Sequence, residues 1–339
     1  MQKLRLFQYF WAVNFLYIFV IFVSPIKFIT PNFKACMSSI SQLLKENNPH
    51  EDILAIAGSL GEKENIPTYI VGGYVRDTLL GKSCKDIDIM VEGDGVAFAK
   101  KLARELKVNV TVDYDKFGTA MIPYPDVEIE VATARIEKYR SDSRKPEVTS
   151  STIEEDMSRR DFTINAIAAS LLPSSFGELY DPFGGIKDLQ KGLIITPLDP
   201  DETFSDDPLR MLRAVRFAAQ LEYDVASTIL ESISRNINRL EIVSWERIRD
   251  EIIKSLTTNK PSIAFYLMKE TGLLTHVFPE MDIMSGVETI NGMGHKDVFI
   301  HTLQVVDNAA KLSDKMEIRF AALVHDIAKP QTKQFNNIK

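Results

Sequence analysis

"KDIDIMVEG", residues 85–93, places two aspartates two positions apart inside a run that is otherwise apolar. Side chains alternate along a strand, so Asp86 and Asp88 share one face while Ile87 and Ile89 share the other. Such a strand is buried on one side and carries charge on the opposite side. Two carboxylates this close repel and raise each other's pKa unless a cation neutralises them. Mg²⁺ suits the position, because it takes hard oxygen ligands from one or two carboxylates and from substrate phosphates. A second stretch, "VEIEVATAR" at 127–135, puts Glu128 and Glu130 on one face with Ile129 and Val131 on the other. A third carboxylate from a neighbouring strand would complete a two-metal site. An acidic, solvated sheet face is the plainer reading of an isolated Asp-x-Asp.

The residues just before the aspartates sharpen the choice. "VGGYVRD", 71–77, sets Gly72 and Gly73 between a predicted strand and a predicted helix. Glycines let backbone N–H groups approach a phosphate, a helix N-terminus favours the negative charge, and Arg76 adds a charge-assisted donor. A double glycine is also a common tight turn. Followed by a paired-aspartate strand, it favours nucleotidyl transfer.

Further out, helical and strand patterns alternate: a helix over 51–66, a strand over 68–71, a short helix over 74–81, a strand over 86–91 and a helix over 96–107. Strands follow at 108–113, 118–124 and 127–134, which predicts a mixed sheet with helices on one side. Residues 136–156 are polar and poor in core residues and read as a mobile loop. After Asp156 nearly everything reads as helix. "TPLDPDETF", 196–204, has the prolines and acids of a linker.

Composition bounds these readings. The chain has 339 residues, 45% hydrophobic and 26% charged, enough for two or more globular domains. A formal net charge of −7 excludes a protein that is basic all over, so a nucleic-acid partner would have to be met by a local basic surface. Cys36 and Cys84 are too few for a disulfide framework or a cysteine metal cluster, which fits a reducing compartment. "LFQYFWAVNFLYIFVIFV", 6–23, is long and apolar enough for a membrane helix. It reads as an anchor, as a targeting segment, or as an extension upstream of a start at Met37; the last is favoured, with a cytoplasmic protein beyond it.

"GGYVRDTLLGKSCKDIDI", "RRDFTINAIA", "DPFGGIKDL" and "DDPLRMLRAVRFAAQL" together resemble class II tRNA nucleotidyltransferases and bacterial poly(A) polymerases, over roughly residues 68–339. The resemblance implies an α+β fold: a polymerase-beta-like nucleotidyltransferase head (51–196), a helical neck and body (197–285) and the beginning of an HD domain (286–339). Residues 1–36 stand apart as the apolar segment. It also implies that Asp86 and Asp88 bind the metal and, with Glu130, form the catalytic acids; Glu128 is the weaker candidate. Mg²⁺ is the implied cofactor, and tRNA, ATP and CTP the implied partners, with no protein partner indicated.

Carried over to "RRDFTINA", the resemblance implies nucleotide binding by Arg159, Arg160, Asp161 and Asn165. Their types suit this, with arginines for phosphates and the acid and amide for hydroxyls. Asp161 would equally serve as an N-cap. In "DDPLRMLRAVRF", helical spacing sets Asp207, Arg210 and Arg213 on one arc and Leu212, Val215 and Ala219 on the opposite one. The resemblance makes Asp207 and Arg210 readers of the base edge, with Arg213 and Arg216 beside them. A carboxylate accepts from the exocyclic amine that cytosine and adenine share, and an arginine donates to base acceptors. Without the resemblance this would be a solvated amphipathic helix.

The same resemblance makes 136–156 the loop that assists the change from C to A addition, with Arg144 its basic element. "LYDPFGGIKDL" becomes a hinge at Gly184 and Gly185, and "SWERIRDEIIKSL", 244–256, a neck helix. Arg235, Arg239, Arg247 and Arg249, with the arginines of 210–216, would form a basic inner face for RNA phosphates. His301, His325 and Asp326 are candidate HD metal ligands. The chain ends before the later aspartate such a domain uses, so a complete HD site is not expected. The implied activity is template-independent CCA addition; a poly(A) polymerase, a partial C- or A-adding enzyme, an inactive RNA-binding relic and an HD phosphohydrolase are the alternatives.

Overall fold

Ile87 and Ile89 are almost entirely removed from solvent while Asp86 is exposed, so the alternation read in 85–93 is realised as a strand with one apolar face. The computed structural model describes residues 38–46, 48–84, 86–108, 112–114, 118–140, 143–285, 289–290, 293–294 and 297–332. Side chains of 135–150 lie outside that description, as does the apolar segment 6–23.

The head begins with α1 (Glu51–Glu64), β1 (Thr68–Val71) and α2 (Gly73–Leu79), followed by β2 (Asp86–Val91) and α3 (Gly95–Glu105). Strands β3 (Val112–Tyr114), β4 (Thr119–Tyr124) and β5 (Val127–Thr133) come next. α3 is started by Asp94, whose carboxylate accepts from Ala97 N–H. It turns Phe98, Ala99 and Leu102 onto β4 and β5. Emptying the Phe98 position to alanine would cost about 3–5 kcal/mol.

The loop expected at 136–156 is instead an antiparallel ribbon, β6 (Arg135–Arg140) with β7 (Ser143–Ser150), and then α4 (Ile153–Ser158). A two-stranded ribbon satisfies its backbone by pairing with itself, so it needs no apolar sequence signature. α4 carries a capping box, Thr152 with Glu155, which was legible as Thr-x-x-Glu. Arg144 falls on β7, where only the backbone is described.

The helical reading after Asp156 also needs correction. β8 (Ala168–Ser170) and β9 (Leu179–Tyr180) return to the sheet, whose order is β3-β4-β5-β2-β1-β8-β9. β8 is only "AAS", three small residues with no alternation, and β1 captures it through pairs such as Ile70 with Ala169. β2 and β5 run parallel while the other neighbouring pairs are antiparallel, so the sheet is mixed as expected.

Helices dominate from α5 (Gly185–Lys191) onward: α6 (Pro200–Asp206), α7 (Leu209–Leu221), α8 (Ser227–Asn236), α9 (Trp245–Leu256), α10 (Pro261–Thr271), α11 (Val298–Leu312) and α12 (Met316–Val324). α7 buries Leu212, Val215 and Ala219 against α9 and α10. Phe217 of α7 meets Phe162 of the head edge-on at 5.7 Å, and this contact helps fix the helical part against the sheet. No helix among the described residues is long and apolar enough to cross a membrane.

Candidate active site

The parallel register of β2 and β5 sets Asp86 opposite Glu128 and Asp88 opposite Glu130. All four carboxylates therefore project from one sheet face, a juxtaposition that neither strand reveals alone. Further along this face of β2, Met90 is covered by Ile153 and Met157 of α4, so apolar packing closes one end of the acidic strip.

Opposite the acids stands a wall of arginines. A cavity of about 590 Å³ is lined by Asp86, Asp88, Gly72, Gly73, Arg76, Arg159, Arg160, Asp161, Asn165, Asp207, Arg210, Arg213 and Arg216. Every nucleotide-binding candidate read from the sequence thus converges with the two aspartates. The volume matches a site for a small organic ligand. Glu130 is outside that lining, although its register beside Asp88 keeps it on the same face.

Gly72 makes the convergence possible. Its φ of +68° is a conformation that side chains other than glycine's resist, and a Cβ there would lie 2.7 Å from Arg160 Nη1. Arg160 reaches this point by donating to Asn165 O at 3.3 Å and to Asp156 Oδ2 at 3.4 Å. Arg159 pairs with the other oxygen of Asp156, which is 1% exposed. The sequence reading passed over Asp156, although its i+3 and i+4 spacing to the two arginines on "DMSRR" was the available signal.

Buried hydrogen bonds then tie the wall together. Arg76 donates to both oxygens of Asp77 at 2.8 Å and to Asn165 Oδ1 at 2.6 Å. Asn165 Nδ2 donates to Asp161 Oδ1 at 3.0 Å, and Arg213 grips Asp161 Oδ2 through Nε at 2.8 Å and Nη2 at 2.6 Å. Burial by itself would raise the Asp161 carboxyl, yet the Arg213 charge, with the Asn165 amide, holds it below the ordinary carboxylate range. Asp161 Oδ1 also accepts from Phe162 N–H, so local backbone bonding and long-range pairing coexist.

Asp88 behaves in the opposite way. Burial pushes its carboxyl up, Arg160 opposes that, and the Asp86 charge adds to the rise. Among the described residues neither Asp86 nor Asp88 has an ion-pair partner. Unneutralised oxygen donors on one face, with a third carboxylate in register, fit a hard divalent cation such as Mg²⁺.

Asp207 differs from its expected place. α7 begins at Leu209, and Asp207 sits before it in extended backbone (φ −137°, ψ 100°), because Pro208 disfavours a helical conformation in the residue ahead of it. It still lines the cavity beside Arg210, which donates to Arg159 O at 2.6 Å and Thr203 O at 3.4 Å. Arg216 is buried and donates to Glu251 at 2.6 Å and to Gln220 at 2.6 Å. Phe217, missed by the sequence reading, packs under Arg76, Arg213 and Arg216, with Arg216 4.0 Å above its ring centre.

The expected basic inner face is mostly neutralised locally. Arg235 pairs with Asp201 and Arg249 with Asp250, Arg239 donates to Ser205 O, and of these four arginines only Arg247 lines the cavity. At the hinge candidate, Asp181 accepts from Gly185 and Ile186 N–H, and a Cβ on Gly185 would fall 2.0 Å from Thr163 O. This turn is thus capped and closely packed.

His301, His325 and Asp326 gather elsewhere, on α11 and just past the end of α12, with one ligand atom from each within 4.8 Å of the others. Asp326 Oδ2 is 3.2 Å from His325 Nε2, 3.9 Å from His301 Nε2 and 2.6 Å from Lys329 Nζ.

Comparison with known proteins agrees with this geometry. The "Poly A polymerase head domain" family matches residues 68–195, the "Probable RNA and SrmB- binding site of polymerase A" family matches 222–284, and the HD domain family matches 298–339. The A-adding tRNA nucleotidyltransferase of Geobacter sulfurreducens is 34% identical over 78% of this chain and 28% of its own length. The multifunctional CCA protein of Nitrosococcus oceani is 38% identical over 78% of this chain and 63% of its own length. The chain therefore spans less than two thirds of either of these curated relatives. A crystal structure of a tRNA nucleotidyltransferase complexed with a primer tRNA and an incoming ATP analog aligns with a TM-score of 0.63 and 30% identity, covering 80% of this chain and 75% of the other. With three family profiles in order along the sequence, and 30% identity over 75% of the solved tRNA nucleotidyltransferase, the chain belongs to the tRNA nucleotidyltransferase family, with a poly(A) polymerase head domain at residues 68–195.

Proposed function

We propose that this protein adds or repairs the 3′-terminal CCA of tRNA, transferring nucleotidyl groups from CTP and ATP without a nucleic-acid template. The observation that carries the reading is the single cavity in which the Asp86–Asp88 strip faces the Arg159–Arg160–Asp161–Asn165 wall and the Asp207–Arg210 pair. Asp86 and Asp88, with Glu130 in register, would hold Mg²⁺. That ion supplies Lewis acidity toward the RNA 3′-hydroxyl and charge neutralisation at the triphosphate.

The chain's own groups provide orientation. Arg159 and Arg160, aimed by buried Asp156, present guanidinium donors to phosphate oxygens. Asp161 and Asn165, locked to Arg213 and Arg76, offer a rigid polar edge to the nucleotide sugar. Asp207 accepts from the amine that cytosine and adenine have in common, and Arg210 donates to base acceptors. Reading bases with protein groups removes the need for a template strand. Such an enzyme works on cytoplasmic tRNA.

A second reading is addition of A alone, favoured by the likeness to the A-adding enzyme of Geobacter sulfurreducens. Incubation with Mg²⁺, labelled CTP or ATP, and tRNAs ending before CCA or after CC separates the two, with Asp86→Ala as control. Two C additions followed by one A support the proposal. A single A added only to the CC-ended tRNA supports the second reading. Repeated A on unrelated RNA, or no transfer by a folded chain, overturns both.

A further inference from the structure

Asp207, assigned above to the base edge, already has a donor on each oxygen. Its Oδ1 accepts from Leu209 N–H at 3.2 Å and its Oδ2 from Arg247 Nη2 at 2.8 Å. The first bond pins the carboxylate at the start of α7. The second places a guanidinium at the mouth of the carboxylate, so a base amine approaching Oδ2 meets a bulky donor already seated on one of its lone pairs.

The location of Arg247 is otherwise unfavourable. It is the third residue of α9, beside the positive end of the helix, where a cation is disfavoured by about 0.3–1 kcal/mol. Helix formation alone does not recommend an arginine there, whereas Asp207 accounts for it. One turn along the same helix, Glu251 accepts from Arg216, so α9 offers a cation to Asp207 and an anion to α7. The two pairs differ in burial: the Arg216 and Glu251 side chains are 9% and 3% exposed, those of Arg247 and Asp207 53% and 26%. The buried pair joins the helices, since parting it would strand a desolvated charge. The exposed pair is screened by water and weak, so a ligand can displace it.

We propose that Arg247 is a competitive gate on the base-edge acceptor: it stands on Asp207 in the free protein and yields to a base that brings its own donor amine. Cytosine and adenine replace the lost bond; uracil, which presents a carbonyl oxygen at that point, does not. This inference rests on the reading of Asp207 as the base-edge acceptor.

Equilibrium binding of CTP, ATP and UTP to the full chain tests it, comparing wild type with Arg247→Met, Arg247→Lys and Asp207→Asn. Arg247→Met is expected to tighten CTP and ATP by up to about fivefold, the reach of an exposed ion pair. Arg247→Lys keeps a cation on Asp207 and should stay near wild type, and UTP should remain weak in both. Should Met lower the melting temperature, Arg247→Gln repeats the measurement. An Arg247 variant that melts like wild type and binds CTP and ATP no more tightly overturns the gate. Asp207→Asn separates the two layers: if it erases the CTP-over-UTP preference while Arg247→Met gains nothing, the gate alone falls. If Asp207→Asn leaves that preference intact, the base-edge reading falls and the gate with it.

Discussion

The two walls of the cavity handle negative charge in opposite ways. On the sheet wall, Asp86 and Asp88 stand without an ion-pair partner among the described residues, and burial lifts the Asp88 carboxyl. On the facing wall, Asp156 is shared by Arg159 and Arg160, and Asp161 is locked to Arg213 and held below the usual carboxylate range. Acids already paired from within organise the wall, whereas the sheet acids, with no ion-pair partner among the described residues, ask for a cation from outside. The same contrast sets the sheet acids apart from the His301–His325–Asp326 trio, where Lys329 already sits 2.6 Å from Asp326.

Replacing a sheet acid should break this contrast most sharply. Asp88→Asn is expected to lower nucleotidyl transfer at least about a thousandfold, since metal-borne charge stabilisation is worth several kcal/mol. Its melting temperature should hold or rise, because a buried charge with no ion-pair partner is removed; a large fall in melting temperature would show that Asp88 is structural.

The mirror-image substitution is Asp161→Asn. It strands Arg213 and should cost about 3 kcal/mol of stability, read by denaturant unfolding. A loss of activity with unchanged stability would mean that Asp161 meets substrate without organising the wall.

The walls should also answer pH with opposite signs. Asp161, depressed in the fold, contributes stability that is present above the unfolded carboxylate pKa and is lost as pH falls through its folded value. Asp88, raised in the fold, contributes stability that is full below the unfolded pKa and is lost as pH rises through its folded value. Unfolding measured across the acid range should therefore show a shallower acid loss in Asp161→Asn and a steeper one in Asp88→Asn. Parallel profiles for both variants would erase the distinction.

The smallest effect is expected at the HD trio. His325→Ala lies outside the cavity lining and should leave transfer within about twofold, as distant sites act additively. A larger loss in steady-state kinetics would show that the trio is coupled to the cavity.

Much of this site was legible in the sequence because its parts are local. Alternation in "DIDIMV" put both aspartates on one face and the glycines marked a close turn, while the roles of "RRD" and of the arginines of 210–216 came from the family resemblance carried by those short motifs. The strand readings that failed concern segments with no strand signature of their own, and Asp207 left its expected helix because Pro208 follows it. β8 has no strand pattern of its own and exists because β1 pairs with it, and the β6–β7 ribbon lacks the apolar face by which strands are recognised.

The sequence by itself determined which side chains are chemically armed and which local face each occupies, because backbone periodicity acts over a few residues. Only the tertiary structure decided that Asp88 lies opposite Glu130, that Arg213 clasps an aspartate 52 positions away, and that Arg247 stands on Asp207. Those meetings arise from strand register and helix packing across long chain separations, where loop-closure entropy and burial of the core, rather than local spacing, select the partner.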